Sequence, residues 1–183
     1  MQKKIEIRIS GLGGQGVVLA GQVLGKAAVY SGKNTVQTQS YGAEARGSAA
    51  KSDVIISEGK IGFPAVRKCD VIIVMSQQAL AQHVKDVRRD GVLLIENTAA
   101  KSVSRVKAKI FRIPAIEKSK EKFGKALYAN MVMLGALVKM MKLVNDEAME
   151  KAIKDSFSRK AAMVNIKAYR LGKKLIGDYE VLS

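Results

Sequence analysis

The chain has 183 residues, 48% of them hydrophobic, enough for one domain with a sizeable core and a helical appendage. Disorder is excluded for most of it. A single cysteine excludes an internal disulfide, a structural zinc site and an iron–sulfur cluster held by this chain alone. The formal net charge is +16. Thirteen basic against eight acidic residues in the first hundred positions, and nineteen against eight in the remainder, place the excess towards the carboxy terminus. Such a balance suits an acidic partner, a phosphorylated ligand or nucleic acid. The last is disfavoured: aromatics make up 5%, tryptophan is absent, and no basic stretch is interleaved with aromatics as a base-stacking platform requires. Lys151, Lys154, Arg159, Lys160, Lys167, Arg170, Lys173 and Lys174 are expected on solvated helix faces. The longest apolar run, 126–138, is too short for a membrane span, and the first residues lack an export signal. A reduced, soluble, cytoplasmic protein is expected.

Residues 4–10 alternate Ile5, Ile7 and Ile9 with polar residues, the period of a strand. Gly11-Leu12-Gly13-Gly14-Gln15-Gly16 follows, and then an apolar periodicity predicts a helix over 17–29 with Gly32 just past its end. Polar 34–40 and then 51–57 read as strands. Between them, Tyr41 to Ser48 form a loop with two glycines and the oppositely charged Glu44 and Arg46. The continuous apolar run 70–76 predicts a central strand covered on both faces. A helix is expected over 77–87, Asp90-Gly91 as a turn into a strand at 92–96, and a last strand at 109–113 stopped by Pro114. Helices are expected near 117–124, 126–142, 146–157 and 159–175, with Asn145 as an N-cap candidate. The fold class is α/β: a three-layer α/β/α sandwich on a Rossmann-like, mostly parallel sheet, with a core over 1–115 and a helical region over 116–183 in a single domain.

Gly11-x-Gly13-x-x-Gly16 between strand and helix matches the dinucleotide-binding fingerprint, in which the backbone approaches a phosphate at a helix N-terminus. The fingerprint also wants a carboxylate about 20 residues on, to hold a ribose hydroxyl. Residues 35–40 offer none. NAD or FAD is therefore disfavoured, leaving another phosphate-bearing ligand or a purely packing role for the glycines. His83, without a second histidine, is expected as a surface helix residue, and Cys69 as a small structural hydrophobe. Glu44 and Arg46 form either a local salt bridge or a ligand or subunit contact. Leu127, Met131, Leu134, Val138 and Met141 repeat at helical spacing while Met133, Leu137 and Met140 fill a neighbouring face, so the helix through them is expected to be buried. Asn130, the one amide in that run, then requires a partner.

Three stretches together carry a family resemblance: residues 9–17 around the glycine turn, residues 37–47 (Gln-Thr-Gln-Ser-Tyr-Gly-Ala-Glu-Ala-Arg-Gly), and residues 130–136. In order and spacing they resemble the gamma subunit of 2-oxoacid:ferredoxin oxidoreductases, and the Gln-Thr-Gln-Ser-Tyr-Gly wording is closer to the 2-oxoglutarate branch than to the pyruvate branch. Ala43 and Ser48 depart from the proline and glycine common in that family. The resemblance implies a complex that decarboxylates a 2-oxoacid on thiamine diphosphate, passes electrons through iron–sulfur clusters to ferredoxin and releases an acyl-coenzyme A. Thiamine diphosphate and the clusters are then expected in partner subunits, namely alpha, beta and a ferredoxin-like delta chain, with neither nucleic acid nor membrane as a partner. This chain is expected to be silent alone, to hold no catalytic residue or metal, and to contribute assembly and part of a coenzyme A site. The candidate binding residues are Gly11, Gly13, Gly14, Gln15, Gly16, Ser40, Tyr41, Glu44 and Arg46. A stand-alone Rossmann-type nucleotide-binding protein is the alternative.

Overall fold

A computed structural model describes residues 4–42, 48–103 and 106–177. Six strands form one sheet: β1 (Lys4–Leu12), β2 (Asn34–Tyr41), β3 (Ala49–Ser57), β4 (Cys69–Val74), β5 (Val87–Glu96) and β6 (Lys109–Ile113), in the order β2-β3-β1-β4-β5-β6. The pairs β1/β4, β4/β5 and β5/β6 are parallel. Strand β3 runs antiparallel to both β1 and β2, so five of the six strands point one way and one is reversed. The expected mostly parallel α/β sheet is present, with β3 inserted between the first two strands of the chain.

Helix α1 (Val17–Tyr30) follows β1, α2 (Gln77–His83) follows β4, and α3 (Ala115–Phe123), α4 (Ala129–Met141), α5 (Asp146–Lys154) and α6 (Arg159–Leu175) complete the chain in that order. Two clusters of buried apolar side chains lie on opposite faces of the sheet. The larger joins Ile5, Ile7, Ile9, Val71 and Ile73 to residues of α1, α4, α5 and α6. The smaller joins Ile55, Ile72, Val74, Leu93 and Ile95 to Ala79 and Leu80 of α2. Successive residues of β4 thus enter different clusters, which is why that strand lacks polar alternation.

Several boundaries differ from the sequence expectation. Asp90-Gly91 is not a turn: β5 runs from Val87 through it, and the register against β4 slips between Cys69 and Val71. The extra residues are absorbed as an irregularity inside the strand. The expected helix 77–87 ends at His83 and tightens into a 3₁₀ turn, Val84–Asp86. The expected helix 126–142 opens with another 3₁₀ turn, Ala126–Tyr128, which leaves Leu127 exposed. The remainder of that helix behaves as expected: every residue from Ala129 to Val138 is buried. Asn145 caps α5, its side-chain oxygen accepting from the Ala148 N–H at 2.7 Å. Helix α6 crosses α4 with backbone on backbone, because a β-carbon at Gly135 would fall on the Tyr169 carbonyl and one at Gly172 on that of Val132.

Candidate functional site

Strand β1 ends in the glycine turn, and hydrogen bonds at Gln15, Gly13 and Gly16 give that turn its shape. Gln15 folds inward, its Oε1 accepting from the Leu12 N–H at 2.7 Å and its Nε2 donating to the Met75 carbonyl at 2.9 Å. Gly13 donates its N–H to the Ser48 carbonyl at 2.9 Å, which ties the turn to the end of the 42–48 loop. Asn130 of α4 reaches across the larger core to donate to the Gly16 carbonyl at 3.1 Å, while its own oxygen accepts from the Met131 N–H at 2.8 Å. This is the partner that the lone amide required.

Gly14 and Gly16 hold φ of +91° and +70°, values that side chains other than glycine adopt only with strain. Gly16 occupies the N-cap of α1, so no capping side chain is present, and the first turn carries no acidic residue. The leading N–H groups of a helix have no acceptor within it, and its dipole concentrates positive potential there. That end of α1 opens into a cavity of about 360 Å³ bounded by Gly13, Gly14, Gly16, Val18, Gln22 and Tyr41. The surroundings suit an anionic oxygen group: the leading backbone donors of α1, no carboxylate among the described residues that line the cavity, and at Gly14 open space where a β-carbon would project.

The candidate residues separate by role. Gly13, Gly14 and Gly16 line the cavity, as does Tyr41, a residue 61% exposed. Gly11 is buried in β1, where a β-carbon would meet Gln15, Val17 and Met75. Both polar ends of Gln15 are committed to backbone, so it positions the turn. Ser40 lies beyond Tyr41 on the wall of a second cavity. Glu44 and Arg46 fall outside the described residues, and Ser48, just past them, accepts from the Gly13 N–H of the glycine turn. The dinucleotide comparison acquires a structural objection as well. With β3 between β1 and β2, the end of β2 is one strand further from the turn than the fingerprint places its ribose-binding carboxylate.

His83 departs from the sequence expectation in its burial, whereas Cys69 meets it. His83 is not on the surface: it is 6% exposed, with Nδ1 3.3 Å from Asp86 Oδ2. Burial pushes its pKa down, the Asp86 hydrogen bond opposes this, and the charges of Arg8 and Lys51 push it further down. Cys69 is fully buried, as a structural hydrophobe should be, and burial raises its thiol to about 12. Beside them lies an ionic cluster that composition did not reveal. Arg8, on the polar side of β1, grips Asp53 through Nε and Nη2 at 2.7 and 2.8 Å and Asp86 through Nη1 at 2.6 Å. The signal available in the sequence was an arginine in the middle of the Ile5-Ile7-Ile9 strand.

Comparison with known proteins agrees with this fold. The family model described as pyruvate ferredoxin/flavodoxin oxidoreductase matches residues 6–175. The chain is 44% identical over 178 residues to 2-oxoglutarate synthase subunit KorC of Methanothermobacter thermautotrophicus, covering 93% of this chain and 94% of that protein. The crystal structure of a keto/oxoacid ferredoxin oxidoreductase gamma subunit from Geobacter sulfurreducens superposes with a TM-score of 0.85 at 36% identity, over 95% of this chain and 99% of that one. A 2-oxoglutarate:ferredoxin oxidoreductase from Magnetococcus marinus, solved with 2-oxoglutarate, coenzyme A and succinyl-CoA bound, shares the fold at a TM-score of 0.88 and 22% identity, over 97% of this chain and 32% of that one. A family match across nearly the whole chain, together with gamma-subunit relatives of the same extent, shows that this chain belongs to the pyruvate ferredoxin/flavodoxin oxidoreductase family as one of its gamma subunits.

Proposed function

We propose that this gamma subunit serves a complex that oxidatively decarboxylates 2-oxoglutarate to an acyl-coenzyme A with reduction of ferredoxin, and that the cavity at the start of α1 receives the phosphate-bearing part of coenzyme A. The uncapped N-terminus of α1, opening between Gly13, Gly14 and Gly16 with no carboxylate in its first turn, carries the second half of this reading. Relatives named as 2-oxoglutarate synthase subunits support the first. Thiamine diphosphate and iron–sulfur clusters belong, on this reading, to alpha, beta and ferredoxin-like delta partners. Cys69, buried with its thiol held protonated, is no cluster ligand. The chain itself contributes assembly and donors for an anion, with Tyr41 on the cavity wall and Glu44 and Arg46 as further candidates named from the sequence.

The test is a pair of substitutions in the assembled complex. Gly14→Ala and Gly14→Asp share the strain of a side chain at positive φ, whereas only the second places a carboxylate at the anion site. Gly14→Asp is expected to raise the KM for coenzyme A tenfold or more over Gly14→Ala, with the KM for 2-oxoglutarate unchanged. Equal coenzyme A constants for the two variants would remove the glycine turn from the site.

A further inference from the structure

On the other side of Tyr41 lies a separate cavity of about 210 Å³, whose floor is the β2/β3 pair and whose wall is the end of α2. Ser40 and Lys51 are cross-strand partners there, Gln82 and His83 face them from α2, and Tyr41 forms the rim. We infer that this pocket is a second anion site, taking a small oxyanion, carboxylate or phosphate, between the Lys51 ammonium and the His83 imidazole.

Hydrogen-bonding capacity is left unused around this one cavity. Lys51 is 3.8 Å from Asp53 Oδ2, too far for a hydrogen bond, and Asp53 is already held by both arms of Arg8. Its ammonium therefore lacks an acceptor among the described residues. His83, more than nine-tenths buried, meets Asp86 through Nδ1 only, so Nε2 has no protein partner among the described residues. Among the described residues the buried side-chain atoms without a partner are Ser31 Oγ and Thr35 Oγ1, so His83 Nε2 keeps access to solvent and stands open to a ligand in the cavity. The ionic groups behind the wall, Arg8, Asp53 and Asp86, pair with one another, and Cys69 beside them is uncharged. An incoming oxyanion is thus met by the Lys51 ammonium and the Ser40 and Tyr41 hydroxyls. Its charge draws a proton onto His83, which then donates through Nε2 while Nδ1–H stays on Asp86. The proton comes from solvent, and the net change is one anion and one proton bound. Tyr41 lines both this pocket and the α1 cavity, and the other lining residues of the pocket all belong to this chain.

His83 is the sole histidine of the chain, so its ring carbon-bound protons report without ambiguity. The tag-free full chain is titrated by NMR from pH 8 to 5 in sodium chloride, then at equal ionic strength in sodium acetate and in sodium phosphate. An upward shift of the His83 pKa that saturates with acetate or phosphate in the millimolar range, beyond any effect of chloride, is expected. The ion giving the tighter saturation identifies the oxyanion class. Lys51→Gln should weaken that saturation at least tenfold with the ring still titrating. Identical titrations in all three salts, or full-strength binding by a folded Lys51→Gln chain, would overturn the inference.

Discussion

Asn130 and Gly16, 114 positions apart, meet at 3.1 Å, where the amide of a buried helix donates to the carbonyl that begins α1. The contact couples the helical layer to the anion-facing turn. A β-carbon on Gly16 would collide with that same amide nitrogen, so turn and helix fit only with glycine at this position.

Asn130→Ala is expected to destabilise the chain by about 1–3 kcal/mol, since a buried amide and its packing are lost. The Gly16 carbonyl still accepts from Ala20 at 2.9 Å, so it is not orphaned. Thermal melting should fall by several degrees. The KM for coenzyme A of the assembled complex should rise, because the turn loses its anchor.

The crossing of α4 and α6 supplies a sterner test. Gly172→Ala drives a methyl group onto the Val132 carbonyl, and two rigid helices must separate to admit it. Overpacking of this kind costs about 1–3 kcal/mol, and more where backbone rather than side chain must move. Urea unfolding should show a lower midpoint, whereas Lys174→Ala, an exposed neighbour on α6, should leave it unchanged.

Removing Arg8 should be harsher than removing Arg8 and Asp53 together. Arg8 is 4% exposed, and its loss leaves Asp53 buried without its bidentate partner. Breaking a buried pair from one side costs about 3–5 kcal/mol, while replacing both partners with apolar groups is often near neutral. Arg8→Met is therefore expected to lose more stability in equilibrium unfolding than Arg8→Met combined with Asp53→Leu.

The buried His83 predicts a pH dependence of stability. Its folded pKa lies below the ordinary 6.5 because burial and the nearby cations disfavour the charged ring. The unfolded chain therefore binds the extra proton first as pH falls. Stability from this group is complete above the unfolded pKa and is lost as pH drops through 6.5 towards the lower folded value. Unfolding free energies measured from pH 7.5 to 5 in chloride should decline less steeply for His83→Gln than for the native chain.

Arg46→Ala concerns a residue for which sequence alone supplies the expectation. Exposed ion pairs contribute about 0–1 kcal/mol, so a purely local role would leave little mark anywhere. The substitution should leave the melting temperature of the isolated chain almost unchanged while weakening its association with partner subunits in a pull-down titration. An unfolded isolated chain with normal association would assign Arg46 to local structure.

Period and punctuation determined much of this fold by themselves. Isoleucines alternating into glycines dictate strand, turn and helix, and an uninterrupted apolar run dictates a strand covered on both faces, because these patterns encode burial within a few residues. The Asn145 cap was legible for the same reason: capping acts over three residues. Only the tertiary structure decided what depends on distant partners. The reversal of β3 between β1 and β2 is a matter of sheet topology, and the run through Asp90-Gly91 depends on β4 tolerating a register slip. An arginine in β1 becomes a buried ion-pair centre only because Asp53 and Asp86 arrive from other elements. His83 likewise carries no local sign of burial, since its cover comes from the sheet beneath α2. Asn130 shows the division in one residue: an amide in an apolar helix announces a need for a partner, and only packing selects Gly16 from 114 positions away.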